Sequence, residues 1–529
     1  MRDFHRPGRS AIHAENGMAA TSHPLATATA LSVLKEGGNA VDAAIAAAAT
    51  LVVVEPHMTG IGGDCFVLVG EPDGTVHGLN GSGRAPAAAT AEAYRARGLS
   101  AVPEFGPLSI TVPGAIKAWE ALLERFGNLS FERLFADAIR YAEDGFAVHS
   151  RVASDWARVA PRLEADTGGR LHFLPGGRAP IQGERFRSPG VARTLRAIAR
   201  GGAKAFYDGP IAREMAATVQ AQGGYLAEAD LAAVAVDWVS PIGRSYRGHE
   251  VLEIPPNGQG ITALILLGLL EKLDVASLDP HGVARLHLEM EAARLAYSVR
   301  DHLVADPAAM TVAPEHLLSD GFIGGLASQF DPRRRNEALV LPAIPRASTV
   351  YLSVVDRDRR AVSFINSVYD SFGSGVVMPE AGFALQNRGA CFTLEAGHPN
   401  EIGPGKRPMH TIIPAMTTLD GLPAISFGVM GGAYQPMGHA HVLSNMLDFG
   451  MDPQEALDHP RLFWSEEDGV LEAERGIGSG AMAALAAMGH PIREASRPHG
   501  GGQVVRIDRR SGFLVAGSDP RKDGCALGW

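Results

Sequence analysis

The chain has 529 residues, of which 46% are hydrophobic and 20% charged, and its formal net charge is −10. That balance excludes a disordered or fibrous chain and describes a globular one with enough apolar residues for a substantial core. The acidic surplus, with Arg333, Arg334 and Arg335 as the largest basic cluster, argues against nucleic acid as a partner.

The amino terminus, MRDFHRPGRSAIHAENG, is polar and lacks the apolar core of a secretory signal. The Ala-rich run from Ala43 is ended by Glu55 and Pro56, short of a membrane span, and reads as a buried helix. Three cysteines, Cys65, Cys391 and Cys525, are too scattered for a disulfide framework or a zinc knuckle. A cytoplasmic chain without a membrane partner is expected.

In chain order, a first strand is predicted around AIHAENGMAATS, then two helices separated at Gly37-Gly38 and a hairpin turning at Pro72-Asp73-Gly74. From Gly114 to about Leu273 the pattern is mainly helical, followed by an amphipathic helix in HGVARLHLEMEAARLAYSVRDHLVAD. DPRRRNEALVLPAIPRAS is Pro- and Arg-rich and reads as an exposed linker ending at Ser348. Strands then follow at Val350 to Val355, Ala361 to Val368, Thr411 to Leu419 and Ala424 to Val429. Helices around two strand-rich blocks predict an α+β sandwich with helices outside a pair of sheets.

The chemistry concentrates where the linker meets the first of those strands. Cleavage between Ser348 and Thr349 would give Thr349 a free α-amine, which can act as base for its own hydroxyl. Such an amine has a reference pKa of about 7.7 to 8.0, suited to taking and returning a proton near neutrality. On local sequence alone, Thr349 reads first as a β-branched residue opening a strand, and the resemblance below is what favours the nucleophile. Metal chemistry finds no support: His287 and Glu289, like His439 and His441, sit two apart on predicted helices and share no face. Neither a phosphate loop nor a GxSxG elbow occurs, and Cys391 reads as a small buried cysteine, not a thiol nucleophile. No cofactor is expected.

The segment RASTVYLSVVDRDRRAVSFINSVYDSFGSG resembles the γ-glutamyltransferase family of N-terminal-nucleophile hydrolases. GGNAVDAAIAAAATLVVVEPHMTGIGGD, IPPNGQG, GPGKRP, GVMGG and GSDPRKDG fall in that family's order along nearly the whole chain. The resemblance implies an αββα sandwich that cuts itself into intertwined fragments, 1–348 and 349–529, and it allows a dimer of such heterodimers. It also implies roles: Thr349 as nucleophile, Ser367 as the hydroxyl that hydrogen-bonds it, and the Gly431 and Gly432 amides as the oxyanion hole, where each donor is worth about 3 kcal/mol.

The substrate pocket departs from the γ-glutamyl pattern. The aspartate that holds the substrate's α-amino group in that family is here Cys391, and the two serines that grip its carboxylate are His410 and Thr411. Tyr369 replaces an asparagine, Arg388 replaces a neutral or acidic residue, and the family arginine falls at Ser82 with Arg84 two places on. Arginines without a carboxylate favour an acyl group that carries a carboxylate and no ammonium. The expected reaction is hydrolysis of a small amide such as oxamate or a dicarboxylyl amide, as in the family's amidohydrolase and acylase branch. A glutathione hydrolase or γ-glutamyl transferase stays open, as does a scaffold that keeps the fold without turnover.

Overall fold

The computed structural model describes residues 8–339, 348–465 and 467–529. Residues 340–347 of the expected linker, and the side chain of Ser348, lie outside the described set. Two seven-stranded sheets form the centre. One runs Cys525–Gly528, Met18–Thr21, Ser348–Val355, Ala361–Tyr369, Asp64–Gly70, Val76–Gly81, Asp237–Val239. The other runs Ile12–Ala14, Leu514–Ser518, Gly501–Ile507, Leu422–Met430, Ala415–Leu419, His249–Glu253, Ile242–Tyr246.

The strands Ser348–Val355 and Ala361–Tyr369 lie in the middle of their sheet and are buried on both faces, which is why they read as nearly continuous apolar runs. They face the second sheet across a seam that is partly polar: Ser353 Oγ donates to Ser426 Oγ at 2.7 Å. Gly428 on the second sheet must lack a side chain, because a Cβ there would lie 2.4 Å from the Tyr351 ring.

Helices Pro24–Lys35 and Ala40–Val54 cover the outer face of the first sheet. The second of them starts where Asn39 caps it, its Oδ1 accepting from the Val41 and Asp42 amides while Asp42 accepts from the Asn39 N–H. Its alanines let it lie fully buried against neighbours on all sides. Helices Gly260–Lys272, Val283–Leu303 and Gln435–Leu447 cover the other sheet with a separate apolar cluster. The layers are therefore αββα, as expected. Among the described residues no helix is long and apolar enough to cross a membrane.

Two expectations need correction. The predicted first strand is two strands, Ile12–Ala14 and Met18–Thr21, which enter different sheets. The stretch read as mainly helical from Gly114 to Leu273 also carries five strands: Phe146–Ala147 and Arg185–Phe186, which pair with each other, and Asp237–Val239, Ile242–Tyr246 and His249–Glu253. These are short and lie at or beside sheet edges, half-exposed, so they lack the apolar run that marks a central strand.

Candidate active site

Thr349 is the second residue of its strand and is fully buried. The register around it is irregular. Ser348 pairs with Tyr369 while Val350 pairs with Asn366, so three steps on one strand match two on the other. Such a bulge re-aims side chains locally, and it brings Thr349 Oγ1 to 3.2 Å from Ser367 Oγ. Ser367 Oγ also accepts from the Tyr369 N–H at 2.8 Å and from Arg388 Nη2 at 3.2 Å.

Arg388 is completely buried. Its Nη1 donates to Thr411 Oγ1 at 2.7 Å, and its guanidinium carbon lies 4.4 Å from the centre of the Tyr369 ring. Tyr369 holds that ring in place with a backbone φ of 78°, in the left-handed region. Nε of Arg388 has no partner, and no carboxylate pairs with this guanidinium among the described residues. A buried cation surrounded by hydroxyls and a ring is an incomplete arrangement, because an unpaired charge away from water is costly. Cys391 lies half-buried beside it, and burial pushes its thiol pKa up, away from the thiolate form.

His410 and Thr411 follow each other but face different partners. Thr411 presents its hydroxyl to Arg388. The His410 ring packs on Phe66, with Nε2 3.0 Å from Asp64 Oδ2 and Nδ1 accepting from the Ile412 N–H at 3.3 Å. Burial, and then the Arg388 charge, push its pKa down to about 3, so the ring is neutral near pH 7. Both its nitrogens are engaged within the protein. Asp64 is a hub: its other oxygen accepts from the amides of Gly83 and Gly114 and from Gln386 Nε2.

Gly431 and Gly432 leave the strand Leu422–Met430 and open a short helical turn into Gln435–Leu447. Their φ values are 123° and 59°, and a Cβ on Gly431 would meet Gly500 Cα at 2.9 Å, so the turn requires glycine. Amides at the start of such a turn have no partner within it and can serve an anion. Gln259 ties this turn to the arginine site, its Nε2 donating to Gly432 O at 3.0 Å and to Thr411 O at 2.7 Å. Arg300 in turn donates to Gln259 Oε1 at 2.8 Å, and Tyr297 donates to Ala433 O.

Thr349, Ser367, Tyr369, Arg388 and Thr411 are thus one connected group, with Gly432 joined to it through Gln259. Arg84 is elsewhere. Its side chain is 42% exposed, donates to Gly405 O at 3.0 Å and faces Asp237 and Asp306 at 3.6 and 4.0 Å. Asp64, Gln259 and Arg300 went unassigned in the sequence reading. Asp64 and Gln259 lie within motifs quoted for the resemblance, and that position was their only signal.

Comparison with known proteins agrees with this geometry. The family model described as gamma-glutamyltranspeptidase matches residues 26–529. The glutathione hydrolase-like YwrD proenzyme of Bacillus subtilis is 36% identical over 97% of this chain and 98% of its own length. The oxamate amidohydrolase proenzyme of Klebsiella pneumoniae is 35% identical over 98% of this chain and 100% of its own. Among solved structures, cephalosporin acylase from Bacillus halodurans superposes with a TM-score of 0.92 at 41% identity, covering 100% of this chain and 99% of that one. The chain belongs to the γ-glutamyltranspeptidase family and is an enzyme of its N-terminal-nucleophile hydrolase fold.

Proposed function

We propose that this protein is a self-processing threonine amidohydrolase acting on small amides whose acyl part carries a carboxylate. In processing, Thr349 Oγ adds to the Ser348 carbonyl carbon, the peptide bond shifts to an ester, and water opens the ester. Ser348 then ends fragment 1–348 as a carboxylate, and Thr349 begins fragment 349–529 with a free amine. In turnover that amine takes the hydroxyl proton as Oγ adds to the substrate carbonyl, and it passes the proton to the departing nitrogen. The Gly431 and Gly432 amides donate to the oxyanion. Water, deprotonated by the same amine, releases the acid.

The observation that carries the substrate class is Arg388, fully buried beside the Thr349–Ser367 pair with hydroxyls but no carboxylate as described partners. A substrate carboxylate would supply the missing anion, with Thr411 beside it. The relatives add support, since one is an oxamate amidohydrolase and a solved neighbour is a cephalosporin acylase. A substrate ammonium, as in a γ-glutamyl group, would meet Arg388 and Cys391 where the family has an acid.

Electrophoresis and a substrate panel test both parts. Wild type is expected to split into two fragments and Thr349→Ala to stay a single band without activity. Oxamate and glutaryl amides are expected to be hydrolysed faster than a γ-glutamyl anilide. A γ-glutamyl preference would return the chain to the glutathione hydrolase reading, and an uncut wild type would remove the mechanism.

A further inference from the structure

A cavity of about 170 Å³ opens beside the glycine turn, with Gly431 and Asp370 forming part of its wall. Arg388 and Thr411 do not line it. One wall is aromatic: Phe463 and Trp464 are stacked with ring centres 4.1 Å apart, and Tyr434 packs edge-on to Phe463 at 5.2 Å. The rest of the lining carries charged side chains.

The acids in the lining already have arginine partners. Asp155 accepts from Arg151 at 2.7 Å, Asp370 from Arg162 at 2.9 Å, and Glu472 from Arg493 at 2.8 Å. Lys522 has none. It lines the cavity with only 8% of its surface exposed, and its ammonium makes no hydrogen bond or ion pair among the described residues. Burial, and then Arg151, lower its pKa, a condition that an incoming anion would relieve. Arg158 adds a further cation to the lining beside Arg151 and Arg497, its side chain 40% exposed and 3.9 Å from Asp155.

We propose that this cavity is the leaving-group subsite and takes an amine with a flat apolar body and a carboxylate, the body against Phe463 and Trp464 and the carboxylate on Lys522. The inference rests on the amidohydrolase reading, since it assigns the Arg388 site and this cavity, which Gly431 borders, to the two halves of one amide. An amine of this class leaving the acyl-enzyme would be held by Lys522 until it is replaced by water. Substrates would then carry two anionic ends, one read by Arg388 and one by Lys522.

Binding of the amine product can be measured without turnover. Titration calorimetry of the processed wild type with 4-aminobenzoate and with aniline is expected to show at least about tenfold tighter binding of the carboxylated amine, the loss expected for one charge-assisted hydrogen bond. Lys522→Met should remove that preference and Arg388→Met should leave it. Arg158→Ala, at a half-exposed position and safe for folding, should weaken 4-aminobenzoate several-fold. Equal affinities in wild type, a preference that survives Lys522→Met or is lost in Arg388→Met, or, should Lys522→Met fail to fold, no effect of Arg158→Ala, would each overturn the assignment. If 4-aminobenzoate binds as expected but no amide is hydrolysed, the function proposed above fails and the leaving-group role falls with it, while the binding site for a carboxylated amine on Lys522 stands.

Discussion

Arg461 and Arg388 are both completely buried, yet the fold treats them in opposite ways. Arg461 Nη2 lies 2.6 Å from Asp519 Oδ2, and Asp519 also receives Arg521 at 3.2 Å, with Glu474 pairing the same Arg521. Burial alone would raise the Asp519 carboxyl, but Arg461 and Arg521 hold it down at about 2. Among the described residues Arg388 has the hydroxyls of Thr411 and Ser367, the Tyr369 ring and the neighbouring Cys391, and no carboxylate. The chain can evidently supply carboxylates to a buried guanidinium where the pair is part of the architecture. Where it does not, beside the nucleophile candidate, the missing anion is best assigned to a ligand.

Substitution separates the two roles. Arg461→Met leaves Asp519 buried with half its compensation gone, and breaking such a pair typically costs about 3 to 5 kcal/mol. Chemical denaturation should register that loss, while the ratio of rates on carboxylated and neutral acyl amides stays as in wild type. Arg388→Met removes a buried charge that, among the described residues, leaves no carboxylate behind, only two hydroxyls. Stability should be unchanged or higher, and kcat/KM on a carboxylate-bearing amide should fall by about one to two decades, equivalent to about 1.5 to 3 kcal/mol. An Arg388→Met protein that is less stable and equally active would make the two arginines alike and dissolve the distinction.

How much of this was legible in the sequence depends on whether the partners lie near one another along the chain. Thr349 and Ser367 sit on consecutive strands joined by a short turn, so the bulged pair falls within one readable segment. Gly431 and Gly432 announce themselves by type, since a strand-to-helix turn with two positive φ values admits little else. The αββα layers were likewise legible, because central strands and covering helices carry strong apolar patterns. The contact between Asp64 and His410 joins residues 346 positions apart. Nothing in local pattern tells that the His410 ring turns to Asp64 while Thr411 next to it turns to Arg388. Arg84 was grouped with the pocket by its place near Ser82, but it faces Asp237, on one of the edge strands that the helical reading passed over.

The smallest effect links the two histories of Arg388 and His410. His410 has its pKa lowered from 6.5 to about 3, first by burial and then by Arg388. A base whose folded pKa lies below its unfolded value binds its proton more readily when unfolded, so stability is complete above about pH 6.5 and declines as the pH falls toward 3. Removing the Arg388 charge lets His410 recover part of its basicity, and each unit recovered is worth about 1.4 kcal/mol. Melting temperature measured from pH 7 to pH 4 should therefore fall less steeply in Arg388→Met than in wild type, and the difference should vanish when His410→Gln is present in both. Equal slopes in wild type and Arg388→Met, both steeper than those of the two His410→Gln proteins, would mean that the arginine charge does not reach the histidine and that burial alone lowers its pKa.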